Sequence, residues 1–144
     1  MIRNKLAAGI VSAAMVFMLA GGAEARRGGR GSNNTAGGCD KRIDLVPTPE
    51  GNADDISGHA DVRQRGTQQR FKVSMDARVE DGTTFVVFAN GRLAGTITIS
   101  LGDGELELNN NNGKKLPTGV DPVCSIGAVV VVDENNTTVL EGSF

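Results

Sequence analysis

From Lys41 onward the apolar and polar side chains alternate with a period of two. Phe71, Val73, Met75, Ala77 and Val79 fall on one side and Lys72, Ser74, Asp76, Arg78 and Glu80 on the other, which is the pattern of a strand with one dry and one wet face. Two β-branched runs follow, residues 83–89 and 93–101, separated by Asn90-Gly91. That dipeptide tolerates positive φ at both central positions of a type I′ turn, so the runs are expected to form a hairpin, with Arg92, Ala94 and Gly95 able to lengthen or bulge it. A second hairpin is expected where Gly102-Asp103-Gly104 separates residues 97–101 from Glu105-Leu106-Glu107-Leu108, whose acid and leucine alternation suits one wet and one buried face.

The asparagine tract 109–112 with Gly113-Lys114-Lys115 reads as an exposed loop, and Pro117, Gly119 and Pro122 keep the chain irregular until about Val123. Residues 126–132 are a nearly continuous apolar run and so a central strand; a turn at 133–136 leads to a last strand over 137–144. Weaker strand patterns occupy residues 42–46 and 56–64. No segment after the N-terminal region has helical periodicity. About eight short strands with turn signals between them predict an all-β fold, a single antiparallel β-sandwich, immunoglobulin-like or similar, with a small barrel as the other solution.

The N-terminal residues follow a different rule. Arg3 and Lys5 precede an apolar run over residues 6–20, and Ala23-Glu24-Ala25 is an A-x-A cleavage pattern, so residues 1–25 are expected to be a helical signal peptide cut after Ala25. The run is shorter than the roughly 20 residues of a spanning helix, and no stable transmembrane segment is expected after processing. Residues 26–38, rich in Gly and Arg, hold no large apolar side chain and are expected to be a flexible leader, leaving residues 39–144 as the β domain. An arginine-glycine segment can also bind RNA, but three arginines ahead of an exported domain read as a solvated tether.

Export frames the rest. A secreted or periplasmic location, of the kind bacterial signal peptides serve, is oxidising, and the two cysteines, Cys39 and Cys124, are expected to form a structural disulfide. Gly37-Gly38-Cys39 ends as a lipobox does, yet a polar stretch separates it from the apolar run, which argues against lipidation. With 15 basic and 17 acidic residues the net charge is −2. So mild an acidity selects no partner and argues against nucleic acid. The expected partner is an unknown protein or another component of the cell envelope.

Phe71-x-Val73, Asn90-Gly91 with Gly95, Gly104-Glu105-Leu106 and the ending Leu140-Glu141-Gly142-Ser143-Phe144 carry a resemblance. In that order they resemble a loose group of small exported bacterial β-rich proteins of unknown function with F-x-V, NG-x-x-x-G, G-x-L and terminal L-x-G-x-F motifs. The resemblance covers roughly residues 41–144 and implies a shared β fold with no activity attached. Its motifs are turn glycines and strand positions, so no site residue follows from it.

Reactive groups are few. His59 is the only histidine and lies near Asp54, Asp55, Ser57 and Asp61; on a strand His59 and Asp61 share a face. A small hydrolase using His59 with a neighbouring acid is one alternative, although there is no G-x-S-x-G elbow. Glu105 and Glu107 are a carboxylate pair, but the chain has no Trp and no Tyr to stack on a sugar. A calcium-stabilised extracellular domain is the other alternative, with Asp54, Asp55, Asp103 and the asparagine tract as oxygen ligands, in a spacing that fits no EF-hand. Asn135 and Asn136 head glycosylation sequons. A terminal Phe144 would suit an outer-membrane barrel, but Thr138 and Gly142 are poor lipid-facing residues. The expectation is a non-enzymatic structural, adhesive or interaction module with no cofactor, no metal and no catalytic residue.

Overall fold

The computed structural model describes residues 38–144. The expected signal peptide, and all but the last residue of the expected leader, lie outside the described residues. Eight strands form: β1 (Cys39–Pro47), β2 (Ser57–Arg65), β3 (Gln68–Asp76), β4 (Thr84–Ala89), β5 (Arg92–Thr98), β6 (Asp103–Asn109), β7 (Ala128–Val132) and β8 (Thr138–Ser143). All pair antiparallel in one sheet of order β5-β4-β7-β8-β1-β2-β3-β6. β1 is the joint: residues 39–45 pair with β2, and Val46 and Pro47 pair with β8.

The sheet curls until its two edges meet. Leu106 of β6 packs against Gly95 of β5, where a Cβ would lie only 2.8 Å from Leu106 Cδ1, and Gly104 lets β6 approach the Thr98 carbonyl and Ile97. The all-β expectation holds, while the hydrogen bonding runs through all eight strands without dividing them into two sheets. The result is nearly a barrel. β4 and β5 make the expected hairpin, with φ of 53° at Asn90 and 79° at Gly91, and a register shift between Val87 and Phe88. The second expected hairpin is corrected. Leu101 and Gly102 do turn with positive φ, but no ladder joins β5 to β6: an isolated Ser100–Asp103 bridge lies past the end of β5, and β6 pairs with β3 along its whole length.

Alternation places the core inside the curl. Phe71, Val73 and Met75 of β3 meet Phe85 and Val87 of β4, Ile97 of β5, Val129 and Val131 of β7 and Leu140 of β8 in one cluster, and no polar or charged described residue is buried. The run of valines in β7 is central as expected, flanked by β4 and β8. One helix was not anticipated, α1 (Pro49–Ala53). Its signals are local: Thr48 Oγ1 caps it by accepting from Gly51 N–H, Pro49 stands in the first turn and Glu50 follows.

Residues 114–126 keep the irregular path foreseen from Pro117, Gly119 and Pro122, yet they are not merely surface. Val120, Val123 and Ile126 are buried in the core cluster. Gln69 of β3 pins this segment, donating from Nε2 to Asp121 Oδ1 and accepting at Oε1 from Val123 N–H at 2.7 Å. Cys39 and Cys124 form the expected disulfide, with Cα atoms 5.8 Å apart and a sequence separation of 85. Among the described residues no helix is long and apolar enough to cross a membrane.

Candidate functional site

The outer face of β1-β2-β3-β6 is where charged side chains concentrate, because every second residue of these strands must point away from the core. Register then aligns them into rows across four strands. Asp44, His59, Ser74 and Glu105 form one row; Arg42, Asp61, Lys72 and Glu107 the next; Asp40, Arg63, Arg70 and Asn109 the third. Opposite charges meet within and between rows. Lys72 Nζ lies 2.8 Å from Glu105 Oε1, Arg42 Nη1 3.7 Å from Asp61 Oδ1, Arg63 Nε 3.4 Å from Asp40 Oδ2 and Arg70 Nη1 3.5 Å from Glu107 Oε2.

Exposed pairs of this kind each contribute roughly 0.2–1 kcal/mol, so the lattice adds little to stability. Its effect is to give the outer sheet face a fixed pattern of sign. The face is also polarised. Asp76 and Asp103 face each other beyond Glu105 at one end, and Arg63, Arg65 and Arg70 gather at the other.

His59 sits within this lattice. Its Nε2 lies 3.7 Å from Asp61 Oδ2, longer than a hydrogen bond, and Asp61 is shared with Arg42. Ser57 is on the same face two residues earlier. His59 also borders a cleft of about 330 Å³ lined by Ser74, Met75, Asp76, Asp103, Gly104 and Glu105. That cleft brings acids from β3 and β6 to the histidine, a meeting that sequence distance concealed.

The other candidate ligands are dispersed. Asp54 ends α1, and Asp55 pairs with Arg78 at 3.1 Å. Asp103 and the asparagine tract flank opposite ends of β6, about 20 Å apart along a strand of this length. Among the described residues no group of three His, Cys, Asp or Glu side chains is placed to hold a metal ion.

Asn110 of that tract has a structural role. Asn110 Oδ1 accepts from Gln69 N–H, and its Nδ2 donates to the Thr67 carbonyl, so it continues the β3 edge past the end of β6. The sequence reading missed the arginine end of the face, since Arg63 and Arg70 become neighbours only through the β2–β3 register. Counting alternate positions back from the Gly66-Thr67 turn would have found them.

No protein-family model, curated protein or solved structure matches this chain.

Proposed function

We propose that the protein is an exported, non-enzymatic interaction module whose contact surface is the charged outer face of β1-β2-β3-β6. The observation that carries this reading is the row register, which sets acids and bases from four strands in a fixed pattern on one face. Such patterns govern orientation and partner choice more than affinity. Residues 1–25 are read as the signal peptide, cut after Ala25, and the Cys39–Cys124 bridge suits the oxidising periplasm or exterior to which it leads. In this reading the domain is a flattened sandwich-like barrel of the kind expected for small exported bacterial β proteins, and its partner is a protein or another envelope component.

The test is a pull-down from the native envelope fraction with the wild type and the double variant Arg42→Glu/Lys72→Glu, which makes the middle row wholly acidic. A component held by the wild type and released by the variant supports the reading. Equal capture by both, or none by either, removes it. The cleft at His59 favours a second reading, a small hydrolase using His59 with a neighbouring acid. It requires hydrolytic turnover that disappears in a folded His59→Ala variant.

A further inference from the structure

The basic end of the outer face is built differently from the rest of the lattice. Arg63 stands directly across from Arg70, and Arg65 follows two residues later on the same side of β2. Like charges facing each other across an antiparallel pair repel, and the carboxylates at hand do not balance them. Asp40 is divided between Arg63 at 3.4 Å and Arg65 at 3.6 Å, while Glu107 serves Arg70. Three guanidiniums thus share two carboxylates, and none of these contacts reaches the 2.7–2.9 Å of a charge-assisted fork.

The Nε donors supply a second, independent observation. Nε of Arg63 and Nε of Arg70 are both buried, and neither has a hydrogen-bond partner; the Asp40 carboxylate near Arg63 lies outside hydrogen-bonding geometry. A buried donor on a charged group is costly to leave unmatched. Here two such donors belong to neighbouring side chains. The side chains of Arg63 and Arg70, with Arg65, Gln68, Asn109 and Asn111, border a cleft of about 270 Å³, whose lining carries three positive charges against the single negative charge of Glu107. The neutral groups beside the arginines are amides, which donate well to oxygen.

We propose that this cleft binds a tetrahedral oxyanion, phosphate or sulfate, with the guanidiniums of Arg63 and Arg70 as the principal donors and Arg65 as a flanking charge. Planar guanidinium forks match such oxygens in pairs, which is why arginine rather than lysine is suited to the position. The proposal rests on the reading of this sheet face as a binding surface and names the chemistry that one end of it takes. The oxyanion could be free or be carried on a lipid headgroup.

Protein purified from cells expressing the complete 144-residue sequence, labelled with ¹⁵N, is titrated with sodium phosphate, sodium sulfate and, at matched ionic strength, sodium chloride. The expected result is a saturable shift of the Arg63 and Arg70 Nε–H resonances with phosphate or sulfate, while those of Arg78 and Arg92 stay in place. Arg63→Gln and Arg70→Gln each weaken that binding about tenfold or more, with the backbone spectrum retained. Chloride moving the same resonances equally, or shifts that never saturate, overturns the proposal.

Vesicles of phosphatidylglycerol and of phosphatidylcholine then separate the sources. Co-sedimentation with the first alone, lost in Arg70→Gln, assigns a lipid headgroup; saturable phosphate binding without co-sedimentation assigns a free or soluble anion. A silent cleft with a pull-down still sensitive to Arg42 and Lys72 defeats this proposal alone. Saturable phosphate binding with no envelope partner defeats the contact-face reading instead.

Discussion

At the scale of single residues, side chains that look like loop filler hold strands together. Asn90 is the clearest case: its Oδ1 accepts from Gly127 N–H at 2.8 Å and Ala128 N–H at 3.1 Å, and its Nδ2 donates to the Ser125 carbonyl. It does so from a left-handed backbone, φ 53°, that asparagine tolerates better than alanine. Asn90→Ala should therefore cost about 1–3 kcal/mol, measured by urea unfolding, and more than Asn135→Ala, whose side chain has no such role. Thr48 works in the same way. It caps α1 and donates from Oγ1 to the Thr138 carbonyl at 2.7 Å, so Thr48→Ala is expected to lose about 1 kcal/mol while Thr48→Ser retains most of it. The turn at Asn90-Gly91 was legible because turn chemistry is local; the grip of Asn90 on residues 125–128 was not, because nothing in a sequence says which loop will pass beside a turn.

At the scale of elements, the meeting of β5 and β6 is the distinctive contact. It is made by side-chain packing across two glycines and not by a ladder, which explains why the acid and leucine alternation of β6 could be read while its partner could not. The two glycines differ in what surrounds them. At Gly95 a Cβ would press on the tip of Leu106, which can turn aside, whereas at Gly104 it would lie 2.6 Å from the Thr98 carbonyl oxygen, a backbone atom. Gly104→Ala is accordingly expected to destabilise by about 1–3 kcal/mol and Gly95→Ala by less, with chemical denaturation of both variants giving the order. The reverse order would mean that the strand edges are free to separate. The strand assignment from period two held for β3, since burial on one face is written directly in the alternation, and those from the β-branched and the continuous apolar runs held for β4 and β7. α1 escaped notice because five residues are too short to show a helical period, although its Thr-Pro-Glu start was in view.

At the scale of the molecule, the Cys39–Cys124 bridge ties the first strand to the segment that covers one end of the core. Closing a loop of 85 residues restricts the unfolded chain by about 4 kcal/mol in the chain-entropy account. Reduction, or Cys39→Ser with Cys124→Ser, should lower the thermal midpoint markedly, and labelling of the denatured, unreduced protein should find no free thiol. Chelation is expected to do nothing comparable. With no group of three metal-ligating His, Cys, Asp or Glu side chains among the described residues, excess EDTA should leave the melting curve in place, and a clear fall would restore the calcium-stabilised alternative. The charged outer face also runs against an outer-membrane barrel ending at Phe144, whose outside would have to be apolar.

The sequence by itself determined the all-β class, the strand positions, the first hairpin and the cysteine pair, because alternation, β-branched runs and turn dipeptides act over a few residues and an even pair of cysteines leaves one pairing. It also determined that charges would line the outside of β2, β3 and β6. Only the tertiary structure decided that β6 lies against β3 and that the sheet curls toward closure. Those outcomes depend on which distant strands share a register, and register is chosen by the packing of the whole core rather than by any local pattern.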